Sequence, residues 1–441
     1  MKKKVYSAVL ISHIAFDQIV ATHRCESVVV GIDVGKKELF AVLRWETGQF
    51  QRPWAVSNPS EIRDLVSVLM KLKQDRDLKV AMESTGTYGD ALRQALADAG
   101  IELQLVSGKR AHDYAEVFDG VSSQHDGKDA AVVAELCALG KSCNWPWQTG
   151  TEQEQQIELI VDQMQAVTAQ KKQWICRLEA MVARHWPELG GKLKLGRTTT
   201  LRILSQYGGP AALGADEHGG ETLLSWAKGN LARRRVDEIL VSAKQTMGMR
   251  QSSVDIGRMK WCAAEALEKQ LQLRRYRQQL AKLAKDHPVL DRQGQAIGLP
   301  TACVLWRHLG DPKCYHCAGA YRKAMGLNLT ERSSGMYQGD LKISKRGEGA
   351  VRRALHLAAL RLIQKESGIK RWYERKLKTS GSNKLVVITA LSRKLAVAMW
   401  SIVKHEQVFD IDRLLSIKGS DQTTKIDNSS TKGKRMKAAV R

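Results

Sequence analysis

Apolar and polar positions fall into two textures along the chain. The run Val28-Val29-Val30-Gly31-Ile32-Asp33-Val34 is almost continuously apolar and β-branched, with one acid inside it. Such a run predicts a buried strand. The turn Gly35-Lys36-Lys37 and the strand Leu39–Trp45 complete a hairpin, closed by the turn Glu46-Thr47-Gly48. Ser57 or Asn58 can cap a helix from Pro59 to Leu72, with Ile62, Leu65, Val66 and Leu69 on one face. Leu78–Met82 is a short strand with Glu83 at its end, a helix runs from about Asp90 to Ala99, and Ile101–Val106 is a further strand. A helix begins near Gly127 and continues through Leu136. Strands alternating with helices predict an α/β layer fold.

Gly140 to Gly150 reads as a linker, and from Thr151 the spacing becomes helical. Glu152–Trp186 carries the stripe Ile157, Ile160, Val161, Met164, Val167 and Trp174. Residues 190–220 are broken by glycines into loops and short helices, and 221–286 return to helix. This is a helical insert of coiled-coil-hairpin type. Gly298-Leu299-Pro300 opens a further unit, with helices over 301–309, 314–325, 349–366, 369–377 and 383–404. The expected organisation is an N-terminal extension (1–25, loosely ordered), an α/β domain (26–145), a helical insert (151–289), a mainly α C-terminal domain (290–408) and a basic disordered tail (415–441).

The length of 441 residues fits two to four units, and the formal charge of +24 points to a polyanionic partner, nucleic acid before membrane. The clusters Arg233-Arg234-Arg235 and Arg274-Arg275-Tyr276-Arg277 are solvated faces or phosphate contacts. Eight cysteines show no disulfide framework, which fits a reducing cytoplasm. Cys314-Tyr315-His316-Cys317 is a single CxxC without a second pair, and packing cysteines are the better reading. The start Met1-Lys2-Lys3-Lys4 then Val5 to Phe16 faintly resembles a signal peptide, but His13 and Asp17 spoil the apolar core and no small-residue cleavage site is clear; no stretch is long and apolar enough to span a bilayer.

Four acids carry the candidate chemistry. Asp33 lies in the strand, Glu83 ends a strand, and Asp126 and Asp129 flank a helix start three residues apart. A carboxylate among apolar residues carries a desolvation cost unless a cation or hydrogen bonds offset it. Phosphodiester chemistry uses carboxylate oxygens to hold two Mg²⁺ ions about 4 Å apart. Three of the acids also have a plainer reading: Asp33 in a turn, Glu83 as a cap for the next segment, Asp126 as a helix N-cap.

The motifs Gly31-Ile32-Asp33-Val34-Gly35-Lys36, Glu83-Ser84-Thr85-Gly86-x-Tyr88 and Asp126-x-x-Asp129-Ala130 resemble the DEDD transposase family of bacterial insertion sequences, which includes the Piv-type invertases and the bridge-RNA-guided recombinases. The resemblance implies a RuvC-like, ribonuclease-H-type N-terminal domain. It implies Asp33, Glu83, Asp126 and Asp129 as catalytic tetrad and as ligands of Mg²⁺ (or Mn²⁺). His125 departs from the family pattern, where a Lys-Thr or similar pair precedes the third acid.

Gly298-x-Pro300, Gly310-Asp311-Pro312, Gly326-Leu327, Ser333-Ser334-Gly335, Ile343-Ser344-Lys345-Arg346-Gly347 and Arg352-Arg353 resemble the family's C-terminal transposase domain. By itself Ser-Ser-Gly is an ordinary turn. The resemblance implies a covalent phosphoserine link to DNA through Ser334, or Ser333 in its place, with Lys342, Lys345, Arg346, Arg352 and Arg353 as nucleic-acid-binding cations. It further implies a composite site with the tetrad domain of another subunit of a homo-oligomer, a dimer or tetramer. The implied partners are donor and target DNA and a non-coding guide RNA, at the bacterial nucleoid. No G-x-x-x-x-G-K-S/T phosphate loop is present, in keeping with strand exchange without ATP. The alternatives are a RuvC-like nuclease or resolvase without a serine step, a sugar-kinase or actin-like ATPase on Asp33-Val34-Gly35, and a non-catalytic nucleic-acid scaffold.

Overall fold

The computed structural model describes residues 7–23, 26–84, 86–121, 125–147, 150–331, 333–334, 337–339, 341–379, 381 and 383–416, with backbone alone at 333–334 and 337–338. Thr85, Gly335 and the basic tail from 417 lie outside the described residues. By packing, the chain divides into two compact units, Met1–Thr149 and Gly150–Arg441.

The first unit contains β1 (Val9–Leu10), α1 (Phe16–Thr22), β2 (Val28–Val34), β3 (Glu38–Trp45), β4 (Trp54–Ser57), α2 (Ile62–Asp75), β5 (Leu78–Glu83), α3 (Asp90–Asp98), β6 (Leu103–Val106), α4 (Gly108–Asp119), α5 (Asp126–Ala138) and β7 (Ser142–Asn144). Its sheet runs β1-β4-β3-β2-β5-β6-β7. β2, β3 and β4 form an antiparallel meander, and β5 and β6 continue parallel to β2. A three-strand meander extended by two parallel strands from its first strand is the ribonuclease-H-type order, so the expected α/β N-terminal domain is present.

Side chains alternate across a strand, and β2 shows why its run looked continuously apolar. Val28, Val30, Ile32 and Val34 join a core with Leu65, Leu69 and Leu72 of α2 and Leu92 and Leu96 of α3. The odd positions Val29, Gly31 and Asp33 face the other side, where α5 packs with Ala130, Ala131, Val132 and Val133 buried. A Cβ on Gly31 would run into the Ala130 carbonyl oxygen and the Ala134 backbone nitrogen. Only a glycine lets α5 lie this close to the strand.

Two expectations for this unit need correction. The N-terminal extension is not loosely ordered over its described part: β1 pairs in parallel with β4 at the sheet edge, Ile11 is buried, and Phe16 and Ile19 of α1 pack on the same core. The stretch after Gly140 is not all linker, because β7 pairs antiparallel with β6. Beyond it, Arg93 of α3 stacks on Trp145 at 3.7 Å and Trp147 at 4.7 Å, which holds the chain leaving the sheet.

In the second unit, α6 (Glu152–His185) starts with a capping box from Thr151 and Glu154. Then come α7 (Pro187–Lys192), α8 (Thr198–Tyr207), α9 (Pro210–Ala215), α10 (Gly219–Ala227), α11 (Arg233–Lys244) and α12 (Ser253–Leu283). The long α6 and α12 pack along one another, and Leu178, Val182, Met259, Cys262 and Ala266 share a core with the short helices between them. α13 (Pro288–Ile297), α14 (Leu299–Leu309) and α15 (Ala318–Ala324) follow. Arg307 of α14 reaches Asp162 of α6 with Nε and Nη2 both at 3.1 Å, and Ile157 and Ile160 of α6 share a core with Ala302 and Cys303 of α14.

Four two-residue strands then form two antiparallel ladders, β8 (Leu329–Thr330) with β11 (Lys342–Ile343) and β9 (Ser333–Ser334) with β10 (Tyr337–Gln338). α16 (Gly349–Lys365), α17 (Ser367–Thr379), α18 (Lys384–Lys404) and α19 (Ile411–Ser416) complete the unit. One expectation is corrected here. By length and composition α18 could cross a membrane. More than half of its apolar window is instead buried, with Leu391, Leu395 and Met399 in the core against Leu355 of α16 and Ile369 of α17.

Candidate active site

Strand register places the first two acids. β2 pairs with β5 from Val28 opposite Leu78 to Ile32 opposite Met82. The next step of that register sets Asp33 beside Glu83, at the carboxyl ends of adjacent parallel strands. Ala81 packs on the α5 side and Val80 and Met82 on the other, so by alternation Glu83 shares the α5 face with Asp33. Asp33 is the penultimate residue of β2 and is half-buried, not fully enclosed.

The other two acids arrive on α5. His125, the departure from the family pattern, is its N-cap, and its Nδ1 accepts a hydrogen bond from Gly127 N at 3.1 Å. Capping by His125 leaves the Asp126 carboxylate exposed and outside the cap role. Between the acids, Lys128 is fully buried; its Nζ donates to Asp119 Oδ1 at 2.7 Å and to the Val121 carbonyl at 2.5 Å. This latch ties the end of α4 to the first turn of α5. Arg44 of β3 meets Glu135 at 2.5 Å further along α5 and fixes the helix to the sheet.

Asp33 lies within electrostatic reach of Asp129, Asp126 and Glu83. Burial, then the charges of Asp129 and Asp126 and more weakly Glu83, push the Asp33 carboxyl up to about 6, against a hydrogen bond from the Val34 backbone. Burial and Asp129 raise the Glu83 carboxyl. Burial and Asp126 raise that of Asp129, while Lys128, His125 and His112 oppose the shift. Among the described residues, no three His, Cys, Asp or Glu side chains are arranged to hold a metal ion as they stand. Mutually repelling carboxylates splay apart, and a cation would have to draw them in. The donor set is all carboxylate oxygen, which suits a hard divalent ion such as Mg²⁺ or Mn²⁺.

Sequence reasoning missed three neighbours of this cluster. His112 lies on α4, within electrostatic reach of both Glu83 and Asp129. The stripe Ala111, Tyr114, Ala115 and Phe118, which packs against α5, marks that helix in the sequence. Gly108 opens α4 against Glu83, and a Cβ there would run into the Glu83 carboxylate. Asn58 Nδ2 donates to the carbonyls of Gly35 at 3.0 Å and Tyr88 at 3.1 Å, which joins the loops that leave β2 and β5.

Ser333 and Ser334 lie in the second unit, paired through their backbones with Gln338 and Tyr337. Lys342, Lys345, Arg346 and Arg353 are exposed near them in sequence. Lys345 adopts a positive φ of 54°, and Arg352 donates to the carbonyls of Met325 at 3.1 Å and Gly347 at 2.7 Å. Arg352 therefore has a structural task in holding this loop. The CxxC is likewise structural: Cys317 caps α15, its Sγ accepting from Ala320 N at 3.4 Å.

An α/β unit of ribonuclease-H-type strand order, with acids gathered at the carboxyl ends of its central strands, defines the class of fold on which phosphodiesters are cut. Comparisons with known proteins narrow that class. A DEDD transposase family model matches residues 30–187, and the model described as "Transposase IS116/IS110/IS902 family" matches residues 292–384. The chain is 22% identical over 408 residues to the insertion element IS900 uncharacterized 42 kDa protein of Mycobacterium paratuberculosis, covering 87% of this chain and 97% of that protein. It is 21% identical to the insertion element IS110 uncharacterized 43.6 kDa protein of Streptomyces coelicolor, over 75% of this chain and 83% of that one. Among solved structures, T. thermophilus RuvC in complex with a Holliday junction substrate is 14% identical, with a TM-score of 0.21 over 27% of this chain and 99% of that one. The chain belongs to the DEDD transposase family of bacterial insertion sequences, the IS110 group, and is a DNA-recombining enzyme.

Proposed function

We propose that this transposase cuts and rejoins DNA with Asp33, Glu83, Asp126 and Asp129 as one metal-holding carboxylate set and Ser334 as nucleophile, Ser333 being the alternative. The observation that carries the reading is the clustering of the four acids, with Asp33 raised to about 6 by burial and by the other three. A fold seldom holds such repulsion without a ligand that offsets it.

When bound, Mg²⁺ or Mn²⁺ ions would polarise the scissile phosphate and stabilise the departing oxygen. The residues do the rest. β2 and β5 set the spacing of Asp33 and Glu83, α5 brings Asp126 and Asp129 over them, and Lys128 and Gly31 hold α5 in place. In the covalent step, Ser334 Oγ forms a bond to phosphorus while the bond from phosphorus to the leaving deoxyribose oxygen breaks. The serine proton is released and the leaving oxygen takes one up. Lys342, Lys345, Arg346 and Arg353 supply positive charge for the phosphate backbone. The phosphoserine ester conserves the phosphodiester bond energy, so an incoming DNA hydroxyl can displace the serine without ATP.

The reading extends to a homo-oligomer in which Ser334 acts with the carboxylates of another subunit. It also includes a non-coding RNA that selects donor and target DNA, and action in the bacterial cytoplasm. The charge of +24 supports a nucleic-acid partner.

The test uses labelled DNA carrying element ends, incubated with the full chain and Mg²⁺ and then denatured. Wild type should leave label covalently on protein and yield joined strands; Ser334→Ala should do neither. Full strand cleavage by both Ser334→Ala and Ser333→Ala would replace this reading with that of a hydrolytic nuclease.

A further inference from the structure

The second unit carries two basic clusters of similar size, and the fold treats them differently. At the start of α11, Arg234 pairs with Glu238 at 3.3 Å and Arg235 donates to the Lys192 carbonyl at 2.9 Å. Those charges are partly satisfied within the protein. On α12, Gln270, Arg274 and Arg277 are spaced i, i+4 and i+7 and so share one face of the helix. Lys171 of α6 comes against that face and donates to Gln270 Oε1 at 2.8 Å. Gln270 Nε2 in turn donates to Thr198 Oγ1 at 2.5 Å, and Arg274 Nη2 donates to the same oxygen at 3.0 Å.

Donors at this site outnumber acceptors. Thr198 Oγ1 accepts twice, which uses both of its lone pairs and leaves its O–H to donate elsewhere. Lys171 directs one N–H to an amide oxygen, and Arg274 one to a hydroxyl. Among the described residues, neither these two cations nor Arg277 forms an ion pair with a carboxylate. Gln270 Oε1 keeps one lone pair against a larger number of remaining N–H donors, and three positive charges are held together on well-packed helices.

We infer that Lys171, Thr198, Arg274 and Arg277 form a phosphate-binding site on the α6–α12 helical pair that grips a nucleic-acid backbone. Donors that outnumber the acceptors among them, on three unpaired positive charges, select an anion. Arginine in particular matches the oxygens of a phosphodiester. The energetic signature agrees: burial, Arg277 and Arg274 together lower the Lys171 ammonium below the usual lysine range, so the cluster is disfavoured until an anion arrives. The inference rests on the reading that nucleic acid is the partner, and it adds where the backbone is held. DNA and RNA offer the same phosphodiester, and the test separates them.

The experiment measures binding of the full chain to a short DNA duplex and a short RNA duplex of unrelated sequence by fluorescence anisotropy, between about 50 and 200 mM salt. The double substitution Arg274→Gln/Arg277→Gln should weaken binding about tenfold or more at the upper salt. It should also flatten the slope of log affinity against log salt by up to about 2 units on DNA, roughly 0.9 for each phosphate no longer neutralised. The melting temperature should hold or rise. Arg274→Lys/Arg277→Lys should restore most of the affinity. Arg234→Gln/Arg235→Gln, which removes the same charge from the satisfied cluster, should change binding by less than about threefold. A loss confined to one duplex names that backbone as the occupant, and a loss on both assigns the site to either; each supports the inference. Unchanged binding to both duplexes, or equal losses from the two arginine-to-glutamine pairs, overturns it while the nucleic-acid reading stands. Failure of wild type to bind either duplex overturns both.

Discussion

Replacing Asp33 with asparagine removes a charge that the fold disfavours and keeps the shape of the side chain. Burial and three neighbouring acids raise its pKa to about 6 from an ordinary 3.8. For an acid shifted upward, the native state holds its proton more tightly than the unfolded chain. Between pH 4 and 6 the native state therefore carries about one more proton, and stability falls as pH rises. The contribution is intact below about pH 4 and is lost by about pH 7. A rise of about two pH units corresponds to at most about 3 kcal/mol. Asp33 is half-buried, so solvent screening reduces this to about 1–2 kcal/mol.

Asp33→Asn does not titrate and escapes the loss. In the presence of a chelator, the variant and wild type should melt together near pH 4. At pH 7.5 the variant should melt about 2–6 °C higher, given a unit of this size. Excess Mg²⁺ at pH 7.5 should stabilise wild type and close the gap, because binding to the native state adds stability by mass action. Thermal melts of the full chain, followed by circular dichroism at several pH values with and without Mg²⁺, measure all three quantities. A wild type more stable than Asp33→Asn at pH 7.5 without metal would refute the reasoning. It would mean that Asp33 is stabilised in its charged form by a partner inside the protein.

Further substitutions test how the site is held. Gly31→Ala should cost about 2–4 kcal/mol in urea midpoints and abolish DNA cleavage, since its Cβ meets the backbone of α5 at Ala130 and Ala134; a neutral effect would place α5 further from β2. Lys128→Ala should cost about 3 kcal/mol by breaking a buried pair, and Lys128→Met clearly less, since it keeps the volume and Asp119 can turn to water. Equal costs for the two would assign Lys128 an ion-pairing role alone, with no contribution from its volume. Cys317→Ser should leave the melting temperature within about 1 °C, because serine caps a helix as well, and elemental analysis should find no zinc in the wild type. Stoichiometric zinc would restore the CxxC as a metal site.

Most elements were legible because their patterns are local. α3, α16 and α18 begin and end within two residues of the positions that spacing and glycine stops suggest. β2 was recognisable as a strand, but its two faces were not, because Val29 and Gly31 are apolar toward α5 just as Val30 and Ile32 are toward α2. β1 and β7 are too short to show a period and exist through pairing with β4 and β6, which no local signal encodes. The acids were visible as motifs, yet their proximity depends on the register of β2 with β5 and on the seat of α5 at Gly31. Lys128 was invisible for another reason. A lysine between two aspartates reads as solvated, and only the fold reveals that its ammonium is buried against Asp119.

These features bear on how a protein keeps four acids together without a cation. Repulsion among Asp33, Glu83, Asp126 and Asp129 favours any motion that lifts α5 from the sheet. Three contacts oppose it along the helix: the Lys128–Asp119 latch at its first turn, the glycine contact at Ala130 and Ala134, and the Arg44–Glu135 pair beyond. The apolar residues Val132, Val133 and Leu136 add burial on the same face. Strain is thus confined to the side chains, which can splay, while the backbone stays seated. A helix fixed in this way leaves a cation only rotamers to reorganise. That is a smaller cost than folding a helix on binding.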